Sequence, residues 1–405
     1  MVSMQAIFDE KLEDASSQIL EKLVKKKLVD AGAKAKKGLV TEIVDAVNNG
    51  GLSTFDWDGG GNKDLTITFT EEDVADFERM ASRFLDQLPS IVDSVSSATA
   101  KQLFKTLKKA WPNEYLYQEE GLLAFQAHLE KRWGKALGML RMLLTISREL
   151  GSEIVRSHND ESVLESVLIR LHARACQVVA EIITLMENGY ADGAMARWRT
   201  LHEISIVMIL MREHGEPLAE RYVAHRSIES KHAKDQYQQC SAWLGHEPIS
   251  ESESQEIEEA YEQAVQTYGK DFRGPYGWAE GYVTKNKSGR IALGDLEAAA
   301  GRAGMGAHYK FASNNVHAGP HALFSRLGLM DDSGLLAGAS NAGLIEPGQN
   351  TAITFSLITV LLPGEKVDLD VLIKMRIVRL IQKEIIDALV KANNKLQRDH
   401  ARHSQ

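Results

Sequence analysis

Apolar residues recur every three or four positions through most of the chain, and that spacing predicts helices. An amphipathic helix opens it, with Ile7, Leu12, Ile19, Leu20, Leu23 and Leu28 as its apolar positions. The series Leu129, Trp133, Ala136, Leu140, Leu143 and Leu144 predicts a second amphipathic helix. Val163, Val167, Leu171, Val178, Ile182 and Leu185 predict the next, ending before Gly189. A third helix of this bundle carries the run Ile204 to Met211 and stops near Gly215 and Pro217. A more polar helix spans Pro217 to Leu244, helix resumes near Leu296 and breaks at Gly319-Pro320, and a long C-terminal helix covers Val367 to Arg398. No repeat of fixed period is present.

Three stretches depart from that periodicity. The glycines Gly50-Gly51 and Gly59-Gly60-Gly61 bracket a loop containing Phe55 and Trp57. Leu65 to Phe69 alternates as a short strand does, and Thr70 then reads as the N-cap of a helix whose first turn holds Glu71, Glu72 and Asp73. From Gly269 to Gly294 glycines and aromatic residues crowd together, which predicts an ordered irregular excursion or lid. Pro112 is expected to end a helix and to mark a boundary. The expected architecture is therefore all-α: a helical N-terminal region with a Gly-rich loop over residues 1–112, and a multi-helix bundle over 113–405. At most one short strand or hairpin is expected.

One stretch breaks the rule that charge faces water. In Met195 to Glu203, Arg199 and Glu203 lie one turn apart, flanked by Met195, Ile206 and Leu210, while Leu201, Ile204 and Met208 occupy the opposite face. No face of this helix is freely solvated, so the two charges form either a structural clasp or part of a site. A second group, Tyr309, Ser313 and His317, is spaced by four and would share one helical stripe beside Ala312 and Val316. Three hydrogen-bonding side chains next to small apolar ones predict a polar seam whose members need partners, and Arg199 and Glu203 are the candidates.

Composition narrows the class. A hydrophobic content of 44% over 405 residues is ample for a large core. The formal net charge of -9 lacks the global basic excess of a DNA coat, though a local basic surface for RNA remains compatible with it. Only Cys176 and Cys240 are present, which fits a reducing compartment, and the cytoplasm is the expected location. The longest apolar runs, Ile204 to Met211 and Ala352 to Leu362, are too short to cross a membrane. The N-terminus, with Asp9 and Glu10, lacks the form of a signal peptide.

Gly189-Tyr190-Ala191-Asp192-Gly193-Ala194 leads into Arg199-Thr200-Leu201-His202-Glu203, followed by Glu220-Arg221-Tyr222 with His225 and by Tyr309, Ser313 and His317-Ala318-Gly319. This combination resembles an uncharacterised family of bacterial helical proteins, over roughly residues 120 to 390. The family in turn resembles, at a distance, the HEPN helical domains, which include RNases of toxin and phage-defence systems. The resemblance implies a helical fold, a homodimer, and a stress or phage-defence effector that acts on RNA or a nucleotide. Such an RNase uses histidine to move protons at the ribose 2′-hydroxyl and arginine to hold the phosphate, with no metal and no cofactor. HEPN RNases carry an arginine and, four to six residues on, a histidine. Arg197 to His202 and Arg302 to His308 have that spacing, but Trp198 and Ala303 stand where a polar residue is usual, and Gly304 and Gly306 interrupt the second. The arrangement expected to be catalytic is Arg199 with His317, oriented by Glu203, Tyr309 and Ser313.

The competing reading makes the same cluster a structural polar network in a non-enzymatic interaction or sensor module. A protein partner would then meet the acidic helix Glu251 to Glu262 and the loop near Trp278, although a glutamate-rich face is ordinarily just solvated. His172 and Cys176 share a helical face, yet no second pair at matching spacing completes a zinc site, so they read as core. Glu119, Glu120, Glu181 and Glu187 lack the Glu-x-x-His units of a di-iron bundle, and Gly59-Gly60-Gly61 lacks the Gly-Lys-Ser/Thr order of a phosphate loop. Lys25 to Lys27 with Lys34, Lys36 and Lys37 read as a solvated basic face.

Overall fold

The computed structural model describes residues 4–48 (side chains from residue 17), 67–157, 162–330, 334–364 and 368–403. Among them the chain is helical and contains no strand. The one bridge of sheet type among the described residues is isolated, between Glu280 and Val283. Residues 65–66 of the expected strand, and the loop with Phe55 and Trp57, lie outside the described residues. Ile67 to Phe69 run as irregular chain. Two compact units divide the molecule, Met1–Tyr117 and Gln118–Gln405.

In the first unit, α1 (Met4–Asp30) and α2 (Lys37–Asn48) pack together through Leu20, Val24, Leu28, Val40, Ile43 and Val44. Gly32, at φ 78°, turns the chain between them, a backbone region open to glycine at no steric cost. Ile67, Phe69 and Phe77 close over this core. Thr70 caps α3 (Glu71–Ser157): its backbone N–H and hydroxyl both donate to Asp73, at 2.8 and 2.7 Å. Lys27 pairs with the same carboxylate and, with Thr70, holds Asp73 well below the usual aspartate range, at about 2.

The helix expected to stop at Pro112 does not. α3 continues through Pro89 and Pro112 to Ser157. Both prolines lie in exposed stretches, where the carbonyl four residues earlier, left without its amide partner, is free to bind water.

The second unit is built around a helix with no polar side. α12 (Ile345–Leu361) buries Ala352, Phe355 and Ile358 together with Asn350, Thr351, Thr354 and Thr359. It packs against α4 (Val163–Glu187), α5 (Ala191–His214) and α13 (Leu369–His403). Two of its buried hydroxyls find partners across the core, Thr354 accepting from Trp198 Nε1 at 3.1 Å and Thr359 meeting Ser147 of α3 at 2.9 Å, whereas those of Thr351 and Ser356 have none among the described residues. The C-terminal half of α3 adds Leu129, Trp133, Leu140 and Leu143 to the same core.

The expected Pro217 to Leu244 helix is two helices, α6 (Glu216–Ala224) and α7 (Arg226–Leu244), interrupted at His225. α8 (Glu251–Tyr268) presents its glutamates to solvent, Glu258 excepted, which pairs with Lys231 and Lys234 of α7. An irregular stretch with two 3-10 turns follows, then the short α9 (Leu293–Ala299), α10 (Gly306–Asn314) and α11 (Pro320–Phe324).

Candidate functional site

α5 supplies three neighbouring polar residues, Arg199, His202 and Glu203, and their partners come from segments 95 to 110 residues away. Arg199 and Glu203 do not pair directly. Arg199 Nη2 donates to the hydroxyl of Tyr309 at 2.7 Å, and that hydroxyl donates to Glu203 Oε1 at 2.5 Å. The guanidinium also lies over the Tyr309 ring, 4.6 Å from its centroid, a cation–π contact. Burial, and then the Glu203 carboxylate receiving the phenolic proton, push the Tyr309 hydroxyl up to about 12.

His202 is fully buried. It stacks on Trp198 at 5.1 Å, meets the Tyr309 ring at 5.7 Å, and bonds Glu297 Oε1 of α9 through Nε2 at 2.8 Å. Burial pulls the His202 imidazole below its usual range, against the opposing pull of Glu297. Gly306 lets the α10 backbone approach Glu297, since a Cβ there would stand 3.1 Å from Oε2. Arg302 lies between α9 and α10, its backbone N–H bonded to the Glu297 carbonyl at 2.7 Å, and its charge opposes protonation of His202.

Guanidinium N–H groups remain unused here. Arg199 Nε, Arg302 Nε and Arg302 Nη2 are buried and have no acceptor among the described residues. Burial lowers the Arg302 pKa from the usual arginine value. Tyr276 approaches from the irregular stretch: burial raises its hydroxyl, and Glu203 and Arg199 act on it in opposite directions.

Two residues of α6 and its C-cap hold that stretch in place. Arg221 donates to the carbonyls of Trp278 and Gly277 at 3.0 and 3.2 Å while lying over the rings of Tyr268 and Phe272. His225 Nε2 lies 2.9 Å from the Gly274 carbonyl. The expected lid is thus pinned at its base by the Arg221 and His225 singled out in the sequence.

The structure brings Arg199, Glu203 and Tyr309 into one network. Ser313 does not join it through its hydroxyl, which donates one turn back to the Tyr309 carbonyl at 2.8 Å. His317 falls off the expected stripe because α10 ends at Asn314, and it stands exposed on the following turn. No hydrogen bond or ring contact joins its side chain to Arg199, Glu203 or Tyr309. The two arginine-to-histidine spacings do not converge either: Arg197 turns to Glu181 and Thr200, and His308 faces Glu346 at 3.9 Å.

Glu297 carried no signal in the sequence, because its role arises only from contacts across the bundle, and Tyr276 stood out only as one aromatic residue of the glycine-rich stretch from Gly269 to Gly294. Away from this cluster, His172 and Cys176 lie 3.8 Å apart in the core. Among the described residues no group of three or more His, Cys, Asp or Glu side chains is arranged to hold a metal ion, and no helix is long and apolar enough to cross a membrane.

No curated protein and no solved structure matches the chain. Residues 165–335, under half of the chain, match a family described as Family of unknown function (DUF5677). That segment runs from α4 to beyond α11 and contains every member of the network, from Arg199 to Tyr309, together with Ser313 and His317.

Proposed function

We propose that this chain acts on RNA or a nucleotide, with Arg199 as the phosphate-holding cation of the site. The observation that carries the reading is the hydroxyl of Tyr309 standing between Arg199 and Glu203. Here the phenol stands between the guanidinium and the carboxylate, so Arg199 makes no direct ion pair with Glu203, and its buried Nε has no acceptor among the described residues. An arginine fixed by ring and hydroxyl and not paired with a carboxylate is suited to an anion whose charge grows in a transition state. His317 is exposed after α10, the helix that carries Tyr309, and is open to a substrate, whereas His202 is closed off. Glu203 and Tyr309 orient Arg199, and Ser313 ties down the backbone beneath Tyr309.

The resemblance to HEPN proteins extends the reading to a metal-independent RNase in stress or phage defence, working as a homodimer. The exposed apolar side chains Leu103, Leu107 and Trp111 of α3 offer a face for a second copy. Purified protein incubated with total RNA in the presence of chelator should give fragments. The fragments should be absent with Arg199→Gln and with His317→Ala, both retaining the wild-type melting curve. Undiminished cleavage by both variants overturns the site.

A specific observation also favours a second reading, in which the cluster is a structural clasp of a binding module. His202 and Glu297 are buried against one another, and together with Tyr309 they join α5 to α9 and α10. A collapse in melting temperature on Arg199→Gln, with no RNA cleaved by the wild type, supports that reading over the first.

A further inference from the structure

A cleft of about 660 Å³ lies on the outer side of α4, walled on its far side by the junction of α6 and α7. α4 contributes Arg170 and Arg174, one turn apart on a single stripe, and the junction contributes Tyr222 and Arg226. Val167 lies in its floor, and Ser166 offers a hydroxyl. None of the described lining residues is acidic. No hydrogen bond or ion pair occupies Arg170, Arg174 or Arg226, and all three are exposed. Of the carboxylates on the flanking elements, Glu216 bonds the backbone N–H groups of Val163 and Leu164 at 2.6 and 3.1 Å, and the exposed Glu229 stands 3.8 Å from His225 and acts on Tyr222 from outside the lining.

A solvated helix face normally mixes charges of both signs, and like charges one turn apart repel. Three unpaired arginines around one concavity raise the local positive potential, although the chain as a whole is acidic at -9. Guanidinium groups suit phosphate, which they grip through two parallel N–H bonds. The floor is apolar and aromatic, so the complementary ligand has a body as well as charge. Tyr222 is held edge-on to Trp278 at 5.1 Å and keeps a fixed ring in the wall, with its hydroxyl raised by burial. The volume falls within the range of small-molecule sites.

We infer that this cleft binds an organic polyphosphate, its phosphates on Arg170, Arg174 and Arg226 and its planar or apolar body against Tyr222 and Val167. The inference is independent of the chemistry proposed at Arg199. It provides a second anion site on the same unit, sharing no lining residue with the Arg199 network.

Isothermal titration of the full chain with ATP, inorganic tripolyphosphate and adenosine tests it. ATP should bind, tripolyphosphate should bind several-fold more weakly, and adenosine should give no measurable heat. Each single Arg→Gln change at 170, 174 or 226 should weaken ATP about ten-fold, and the triple variant roughly a hundred-fold or more, with binding falling as ionic strength rises. These side chains are exposed, so circular dichroism of the variants should match the wild type. The loss in the triple variant should be the same whether it is made in the wild type or in an Arg199→Gln background, which separates this cleft from the Arg199 site. Undetectable ATP binding at low salt, or wild-type affinity in the triple variant, overturns the inference. A single-stranded RNA oligonucleotide that binds through the three arginines and resists competition by ATP overturns the small-ligand assignment.

Discussion

Tyr309 donates its phenolic hydrogen to Glu203 across 2.5 Å, and through that bond a carboxylate on α5 is satisfied by a residue 106 positions later. The same oxygen accepts from Arg199, so one hydroxyl serves both charges. Tyr309→Phe keeps the ring beneath the guanidinium and deletes only this oxygen. Two partly buried groups then lose a partner, a loss of about 1–3 kcal/mol on the usual scale for unmet hydrogen bonds. Urea denaturation measures it, and a change under about 0.5 kcal/mol would show that water replaces the hydroxyl at no cost. The pH dependence has a definite sign. The unfolded phenol releases its proton near 10 and the folded one near 12, so stability should decline as pH rises through that interval.

The buried pair of His202 and Glu297 predicts a non-additive mutant cycle. Glu297→Leu leaves Nε2 of a fully buried imidazole without its acceptor, and His202→Leu strands a buried carboxylate. Each single change should cost about 1–3 kcal/mol or more. His202→Leu with Glu297→Leu removes both polar groups at once and should cost clearly less than the sum of the two. Additive losses would mean that the two side chains do not depend on one another.

How far the sequence could be read follows from which interactions are local. The helices of the bundle were legible because Leu129, Trp133, Leu140 and Leu143 repeat with helical period and bury one face. Arg199 and Glu203 stood out because charges on an apolar helix need partners. Tyr309 stood out because its helix mixes small and hydrogen-bonding residues. His317 could not be placed, since four-residue spacing fixes a stripe only while the helix lasts, and α10 ends at Asn314. Asn314 and Asn315 compete for backbone hydrogen bonds, and Pro320 holds Gly319 before it in extended backbone and opens a separate helix, α11. Glu297 was invisible for another reason: its short helix has no periodicity to reveal it, and its meaning comes from His202, 95 residues earlier. The course of α3 through Pro112 went against a sound local rule, because long exposed helices bear a proline that short buried ones do not.

His172 predicts acid sensitivity. Its ring is 3% exposed, stacked on Phe355 at 6.3 Å and beside Cys176, and burial pulls its pKa down to about 4. The unfolded chain takes up this proton near 6.5, whereas the folded chain resists until about 4. The group's contribution is therefore complete above pH 6.5 and is lost progressively as pH falls to about 4, to the extent of about 3 kcal/mol. His172→Phe should flatten that part of the stability profile in denaturation series between pH 7 and pH 4. An unchanged profile in the variant would assign the acid loss to other groups. The neighbouring Cys176 thiol, raised by burial to about 11, should resist alkylation in the folded protein at neutral pH while exposed Cys240 reacts.

Gly277 predicts how the Tyr276 segment is held. A Cβ at this position would stand 2.2 Å from the carbonyl oxygen of Phe272, a backbone atom that cannot rotate away. Gly277→Ala must therefore displace the 3-10 turn from Gly277 to Ala279, and with it the carbonyls that accept from Arg221. Arg221→Met removes the donors and leaves the turn free of the clash, so the two changes reach one contact from opposite sides. Both should loosen the segment between Gly269 and Val283 and speed its cleavage by added protease, with the alanine variant the more sensitive. Trp278, only 4% exposed, reports the same event through a red shift of its fluorescence. The fluorescence of the five other tryptophans forms a constant background that Trp278→Phe subtracts. If Gly277→Ala resists protease as the wild type does, the segment has an alternative packing, and its Tyr276 hydroxyl need not face Arg199. If both variants loosen the segment and RNA or nucleotide binding at Arg199 also weakens, Tyr276 belongs to the site and the loop sets its access.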